Sequence, residues 1–193
     1  MSGSKAKEYF TIPNLMGYFR ILLVPVFLVF FVKSEHTSGY NTFYWLMLAT
    51  IAVSGLTDFF DGRVARKFNM VTDWGKMLDP IADKITIGAI IVALAIKYPI
   101  VLAMVALYIV KEGYMAIVGA ILLKKGQKIE GAMWYGKVCT FATYVIIILL
   151  LVVKEMPQMW VDILVFVNMG IMLFTFIMYI PYHVKKFKEA KAE

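Results

Sequence analysis

A chain of 193 residues in which 61% are hydrophobic, 15% aromatic and only 17% charged is too apolar for a water-soluble domain and reads as an integral membrane protein. Its formal charge of +7 would in a soluble protein favour a nucleic-acid partner. Here the basic residues stand at the ends of apolar runs, where they meet anionic headgroups, so membrane lipids and no nucleic acid are expected.

Six apolar stretches follow one another: Leu15 to Val32, Phe43 to Leu56, Met77 to Ile96, Tyr98 to Leu123, Tyr135 to Val153 and Val161 to Ile180. Most reach the roughly 20 residues that cross a hydrocarbon layer. They lack the alternation of a barrel strand, so in lipid their backbones must close on themselves as helices. The first lacks a small-residue cleavage site and is expected to persist as a span. The second is short unless it continues through Thr57 and Asp58, which puts the start of an acid-rich segment on the end of that helix. Trp45, Trp134, Tyr135 and Trp160 suit interfacial belts. Cys139, the single cysteine, leaves neither an intramolecular disulfide nor a cysteine-built zinc site. No linker, repeat or low-complexity tract interrupts the chain. One domain over residues 1–193 is expected, with 1–13 juxtamembrane and 181–193 a basic tail.

Lysine and arginine alternate between connections. Lys5, Lys7 and Arg20 stand at the start, Lys33 alone follows, and Arg63, Arg66, Lys67 and Lys76 crowd the acid-rich stretch. Lys97 again stands alone, Lys124, Lys125, Lys128 and Lys137 precede the fifth stretch, Lys154 follows it, and Lys185, Lys186, Lys188 and Lys191 end the chain. Because positive residues are retained on the cytoplasmic side, the expected fold is all-α, with six transmembrane helices, cytoplasmic N- and C-termini, and the acid-rich segment facing the cytoplasm.

That segment carries the chemistry. Asp58 and Asp61 are three apart and Asp79 and Asp83 four apart, so each pair shares one face of its helix. Four carboxylates near lipid repel one another and are costly to keep ionised, and hard divalent cations relieve both penalties. A metal site for Mg2+ or Mn2+ is therefore expected. Gly62 and Gly75 allow close backbone approach or a sharp turn, and Arg66 supplies a forked donor suited to phosphate. Carboxylates, metal, glycines and arginine together describe a pyrophosphate site. The matching chemistry is displacement at phosphorus, with a carboxylate taking a proton from an attacking hydroxyl.

The run Asp58-x2-Asp61-Gly62-x2-Ala65-Arg66-x8-Gly75-x3-Asp79-x3-Asp83 resembles the signature of the CDP-alcohol phosphotransferase family at every position, and six helices in a chain of this size match its domain. The resemblance implies transfer of a substituted phosphate from a CDP-linked donor to an alcohol, releasing CMP. It implies that Asp58, Asp61, Asp79 and Asp83 bind two divalent cations and that Asp83 is the catalytic general base. Asp58, Gly62, Ala65, Arg66 and Gly75 would bind the CDP donor. A homodimer in the cell membrane is the expected assembly, C2 pairs being the commonest.

Ile12-Pro13-Asn14 with Arg20, and the segment Gly75 to Lys84, resemble bacterial phosphatidylglycerolphosphate synthases and the related cardiolipin synthases, both of which use CDP-diacylglycerol. Glycerol 3-phosphate as the alcohol acceptor would need cations, and Lys111, Lys137, Arg20 and Asn14 are the candidates. Lys111 and Glu112 pairing with each other is the structural alternative, and for Arg20 it is snorkelling to the headgroups. The chain departs from the synthase pattern at Gly113, Cys139 and Gly17, which keeps phosphatidylglycerol open as the acceptor. Two readings from other classes are a divalent cation transporter, which would not need the Gly-Ala-Arg spacing, and an intramembrane prenyltransferase. His36 and His183 are not proposed as catalysts.

Overall fold

A computed structural model describes residues 9–126 and 133–192, with side chains up to Ala190. Lys5, Lys7 and Lys128, and the side chain of Lys191, which entered the charge pattern, lie outside the described residues. The described residues are all-helical, with six long helices: α1 Ile12–Glu35, α2 Thr42–Lys67, α3 Asp73–Lys97, α4 Val101–Lys124, α5 Trp134–Val152 and α6 Gln158–Ala192.

Local chemistry sets the ends. Pro13 occupies the first turn of α1, where its missing N–H costs nothing. The Asn41 side chain caps α2 by accepting from the Tyr44 N–H at 3.0 Å, and Thr72 caps α3 by accepting from the Gly75 N–H at 2.9 Å. Between them, α2 stops because Asn69 takes a left-handed conformation (φ 52°) and the Met70 N–H reaches back to the Ala65 carbonyl at 2.9 Å. That pattern closes the last turn on itself. Gly126, at φ 79°, ends α4.

Five of the helices, all but α3, are long and apolar enough to cross a membrane. The sixth expected span, α3, is 25 residues long, but Asp79, Asp83 and Lys84 lie within it and Lys97 ends it. No more than 44% of any candidate span is buried by protein, which leaves most of each apolar surface for lipid.

The chain divides into two compact units, 1–93 and 94–193, with the boundary inside α3. In the first, α1 packs along α2. The buried stripe of α1 runs through Asn14, Gly17, Arg20, Phe27 and Phe31, and that of α2 through Tyr44, Met47, Thr50, Ser54 and Asp61. These steps of three, four and seven residues are the helix repeat. Gly17 permits a close crossing of α1 with α3, since a Cβ there would stand 2.9 Å from Leu78 Cδ2. In the second unit α4 and α5 each pack on α6. Met104, Ile147, Leu150, Val165 and Met172 are buried there, as is Asn168, which accepts from the Thr143 hydroxyl at 3.0 Å.

Candidate active site

Helix α2 runs without a break through Asp58, Asp61, Gly62, Ala65 and Arg66, so Gly62 makes no turn and the acid-rich segment is the last part of a helix. Asp79 and Asp83 follow on the first turns of α3. The first unit therefore carries all four acids, together with Asn14, Arg20, Gly62, Ala65, Arg66 and Gly75.

Arg20 joins α1 to α2. Its side chain is 2% exposed, and its two terminal nitrogens donate to different carboxylates: one to Asp58 and the other to Asp61 Oδ2 at 2.8 Å. Asp61 is buried with it, while the Asp58 side chain is 51% exposed. Asp79 lies within electrostatic range of Asp58 and Arg20, and Asp61 within that of Asp79. Gly17 is the adjoining wall, a Cβ there standing 4.0 Å from Asp79 Oδ1. Asp83, half-buried, is one turn further along α3. Snorkelling by Arg20 is thus corrected: its side chain is buried and its terminal nitrogens are engaged by Asp58 and the buried Asp61, because an Asp61 buried so fully needs a charged partner.

A second clasp holds the start of α3 against α1. The Asn14 side-chain amide donates to Thr72 Oγ1 at 3.2 Å, and a Cβ on Gly75 would stand 2.6 Å from Asn14 Oδ1 and 3.0 Å from Thr72 Oγ1. Gly75 is therefore required by the helix contact. Trp74 Nε1 donates to the Tyr18 hydroxyl at 2.6 Å, and Trp74 meets Tyr9 edge-on at 5.1 Å. Arg66 and Lys76 are exposed. Lys76 binds Asp73 at 2.8 Å and by that hydrogen bond holds the Asp73 carboxyl below its ordinary range.

Among the described residues no three of His, Cys, Asp and Glu are gathered as metal ligands. Arg20 instead bridges two of the acids. The donor set nevertheless suits a hard cation: it is all carboxylate oxygen, and one guanidinium does not balance four acids, one of them buried.

Lys111 and Lys137 belong to the second unit. Lys111 is 5% exposed and binds Glu112 Oε1 at 2.6 Å, the pairing raised as its structural alternative. Lys137 is exposed in the first turn of α5. His183, set aside in the sequence, is buried against a tyrosine cluster: it stacks on Tyr179 with centroids 5.6 Å apart and lies 3.3 Å from the Tyr114 hydroxyl. Sequence reasoning also missed Thr72, Tyr18 and Trp74. Only Thr72 carried a signal, a capping residue three before Gly75.

The family model described as CDP-alcohol phosphatidyltransferase matches residues 10–182. A CDP-diacylglycerol--glycerol-3-phosphate 3-phosphatidyltransferase of Salmonella paratyphi A is 31% identical over 159 residues, covering 79% of this chain and 81% of that protein. A cardiolipin synthase (CMP-forming) of Streptomyces coelicolor is 30% identical over 131 residues, 68% of this chain and 60% of the relative. A probable phosphatidylglycerophosphate synthase of Mycobacterium tuberculosis is 32% identical over 135 residues, 69% and 62% respectively. The chain thus spans less than two thirds of the length of the Streptomyces and Mycobacterium relatives.

Proposed function

Because the chain belongs to the CDP-alcohol phosphatidyltransferase family, we propose that it transfers a phosphatidyl group from CDP-diacylglycerol to an alcohol, releasing CMP. The observation that carries this reading is the meeting of Asp58 and Asp61 on Arg20 with Asp79 beside them, at the acids of the signature. Two divalent cations, Mg2+ or Mn2+, bound by Asp58, Asp61, Asp79 and Asp83, would supply charge neutralisation at the diphosphate. Arg20 keeps the α2 acids aimed at one point and balances part of their charge. Asp83 accepts the proton of the acceptor hydroxyl, whose oxygen forms a bond to the phosphatidyl phosphorus as the bond to CMP breaks. Gly62, Ala65, Arg66 and Gly75, with Asp58, receive the CDP moiety, the small residues leaving room and Arg66 pairing with phosphate.

The acceptor we favour is glycerol 3-phosphate, the substrate in the name of the Salmonella relative, with Lys111, Lys137, Arg20 and Asn14 as candidate contacts. Phosphatidylglycerol is the second reading, favoured by the Lys111–Glu112 pair, which takes one cation away from an acceptor phosphate. The whole chain works as one domain in this reading, a homodimer in the cell membrane with α3 as the sixth span and with both termini and the acids on the cytoplasmic side.

CMP release by purified protein, with CDP-diacylglycerol and Mg2+ or Mn2+, tests it against glycerol 3-phosphate, phosphatidylglycerol and no acceptor. Turnover with one acceptor is expected. Mn2+ uptake into liposomes without CMP release would instead make the chain a cation transporter.

A further inference from the structure

Three residues of α1 meet the start of α3. Asn14 donates to Thr72 Oγ1 at 3.2 Å and fills the place of a Cβ on Gly75. Gly17 admits Leu78, a Cβ there standing 2.9 Å from Leu78 Cδ2 and 4.0 Å from Asp79 Oδ1. The Tyr18 hydroxyl accepts from Trp74 Nε1 at 2.6 Å. Asn14 to Gly17 is a step of three residues, and so is Gly75 to Leu78, about 4.5 Å on each helix at 1.5 Å per residue. At these contacts α1 and α3 therefore run in the same direction and in one register. The acids of α3 follow from that register, Asp79 five residues beyond Trp74 and Asp83 nine.

The same helix holds the other two acids, since Arg20 donates to Asp58 and to Asp61. One helix thus indexes both pairs: those of α2 through Arg20, and those of α3 through the contacts at its start. The contacts differ in what they fix. Leucine over glycine is an apolar contact without direction, along which α3 can slide. The indole N–H has one proton to donate and a narrow range of angles in which to donate it, so its bond to Tyr18 opposes sliding. Tyr9 backs Trp74 edge-on at 5.1 Å. A slip of α3 by one residue would carry Asp79 and Asp83 about 1.5 Å along the axis and roughly 100° around it.

We propose that Trp74 and Tyr18 are positioning residues for the cation site: their hydrogen bond locks α3 on α1 and thereby sets Asp79 and Asp83 relative to Asp58 and Asp61. The proposal rests on the reading of the four acids as divalent-cation ligands. Mg2+ needs near-ideal octahedral geometry with oxygens at about 2.0–2.1 Å, whereas Ca2+ accepts flexible shells at about 2.3–2.6 Å. A locked α3 therefore favours Mg2+ over Ca2+, and a loosened α3 gives up part of that preference.

The test is Mn2+ binding to the full chain in nanodiscs without substrate, read from the EPR signal of free Mn2+ and competed by Mg2+ or Ca2+. Tyr18→Phe removes the acceptor oxygen alone, and Trp74→Phe removes the donor and keeps an aromatic ring. Each should weaken Mg2+ about two- to tenfold, the effect of one neutral hydrogen bond, and Ca2+ by less than about twofold. The double variant should be no weaker than the weaker single, because both singles break the same bond. Thermal unfolding of each variant establishes that it is folded at the assay temperature. Thr143→Val, which breaks a hydrogen bond between helices of the second unit, should leave the ratio of Mg2+ to Ca2+ affinity unchanged, so a loss of stability alone does not mimic the result. Equal weakening of both cations, an unchanged ratio, or single effects that add in the double overturns the proposal and leaves the cation site standing. An unaltered protein that binds no Mn2+ overturns the cation site itself, and the proposal with it.

Discussion

Arg20 and Asp61 meet at 2.8 Å across α1 and α2 with both side chains almost wholly removed from solvent. A buried pair of this kind contributes little over an apolar pair, but losing one partner strands a charge at a cost of about 3–5 kcal/mol. Arg20→Ala should therefore lower unfolding stability on that order, the half-exposed Asp58 adding little. If divalent cations bind the same acids, Mn2+ should restore more stability to Arg20→Ala than it adds to the unaltered protein. Thermal unfolding in detergent with EDTA or Mn2+ checks this, and an unchanged midpoint in EDTA would contradict the burial argument.

At the start of α3, Gly75 and Asn14 compete for one volume. A Cβ at Gly75, 2.6 Å from Asn14 Oδ1, must push Asn14 off Thr72, and overpacking of this kind costs about 1–3 kcal/mol. Gly75→Ala should destabilise by that much, and by at least about 0.5 kcal/mol less in an Asn14→Ala background. A double-mutant cycle on unfolding free energy measures the difference. Strict additivity would mean that Gly75 serves the bound donor and not the helix contact.

Apolar runs located all six helices, but not where the helices end. Thus α2 continues from Leu56 to Lys67 and α6 from Ile180 to Ala192, because a polar turn stays helical when its side chains have partners or water. Likewise α3 starts at Asp73, before the run at Met77, since Thr72 sets its cap. The carboxylates were legible as a spaced set. Their partner was not: Arg20 lies 38 and 41 residues from the acids it binds, and that pairing depends on how α1 packs on α2. The same is true of Asn14 with Thr72, 58 apart.

If Asp83 is the general base proposed above, it separates proton transfer from binding. As general base it should account for about 10²–10⁴ in rate, so Asp83→Asn should lower kcat by at least about a hundredfold while CDP-diacylglycerol still binds. Asp61→Asn, by contrast, should weaken Mn2+ binding itself. Calorimetry with Mn2+ beside CMP-release assays distinguishes the two, and near-normal turnover by Asp83→Asn would reassign the base.

Lys111 has two readings that one pair of variants resolves. If its ammonium meets the acceptor phosphate, Lys111→Met should raise KM for glycerol 3-phosphate about tenfold or more, one lost charge-assisted hydrogen bond, with KM for the donor unchanged. If it serves only Glu112, at 2.6 Å, Lys111→Met should lower stability and leave that KM in place, and Glu112→Gln in the same chain should recover the stability by removing the stranded acid.

In the second unit Asn168 is 0% exposed and accepts from Thr143 on α5 at 3.0 Å, while its amide lies 3.0 Å from Met104 Sδ on α4. One side chain therefore meets both helices that pack on α6. Such bonds between helices in lipid are worth about 0.6 kcal/mol on average and up to roughly 1.7, because the unfolded helices find other partners. Asn168→Leu removes both contacts and adds apolar volume, so its cost should fall within that range. Thr143→Val, nearly the same shape, strands the Asn168 amide oxygen and should cost more than its small volume change implies. Combining the two should cost less than their sum, since the leucine leaves no orphaned acceptor. Unfolding free energies of the three variants test this, and a sum of single effects equal to the double would show that Asn168 and Thr143 act independently.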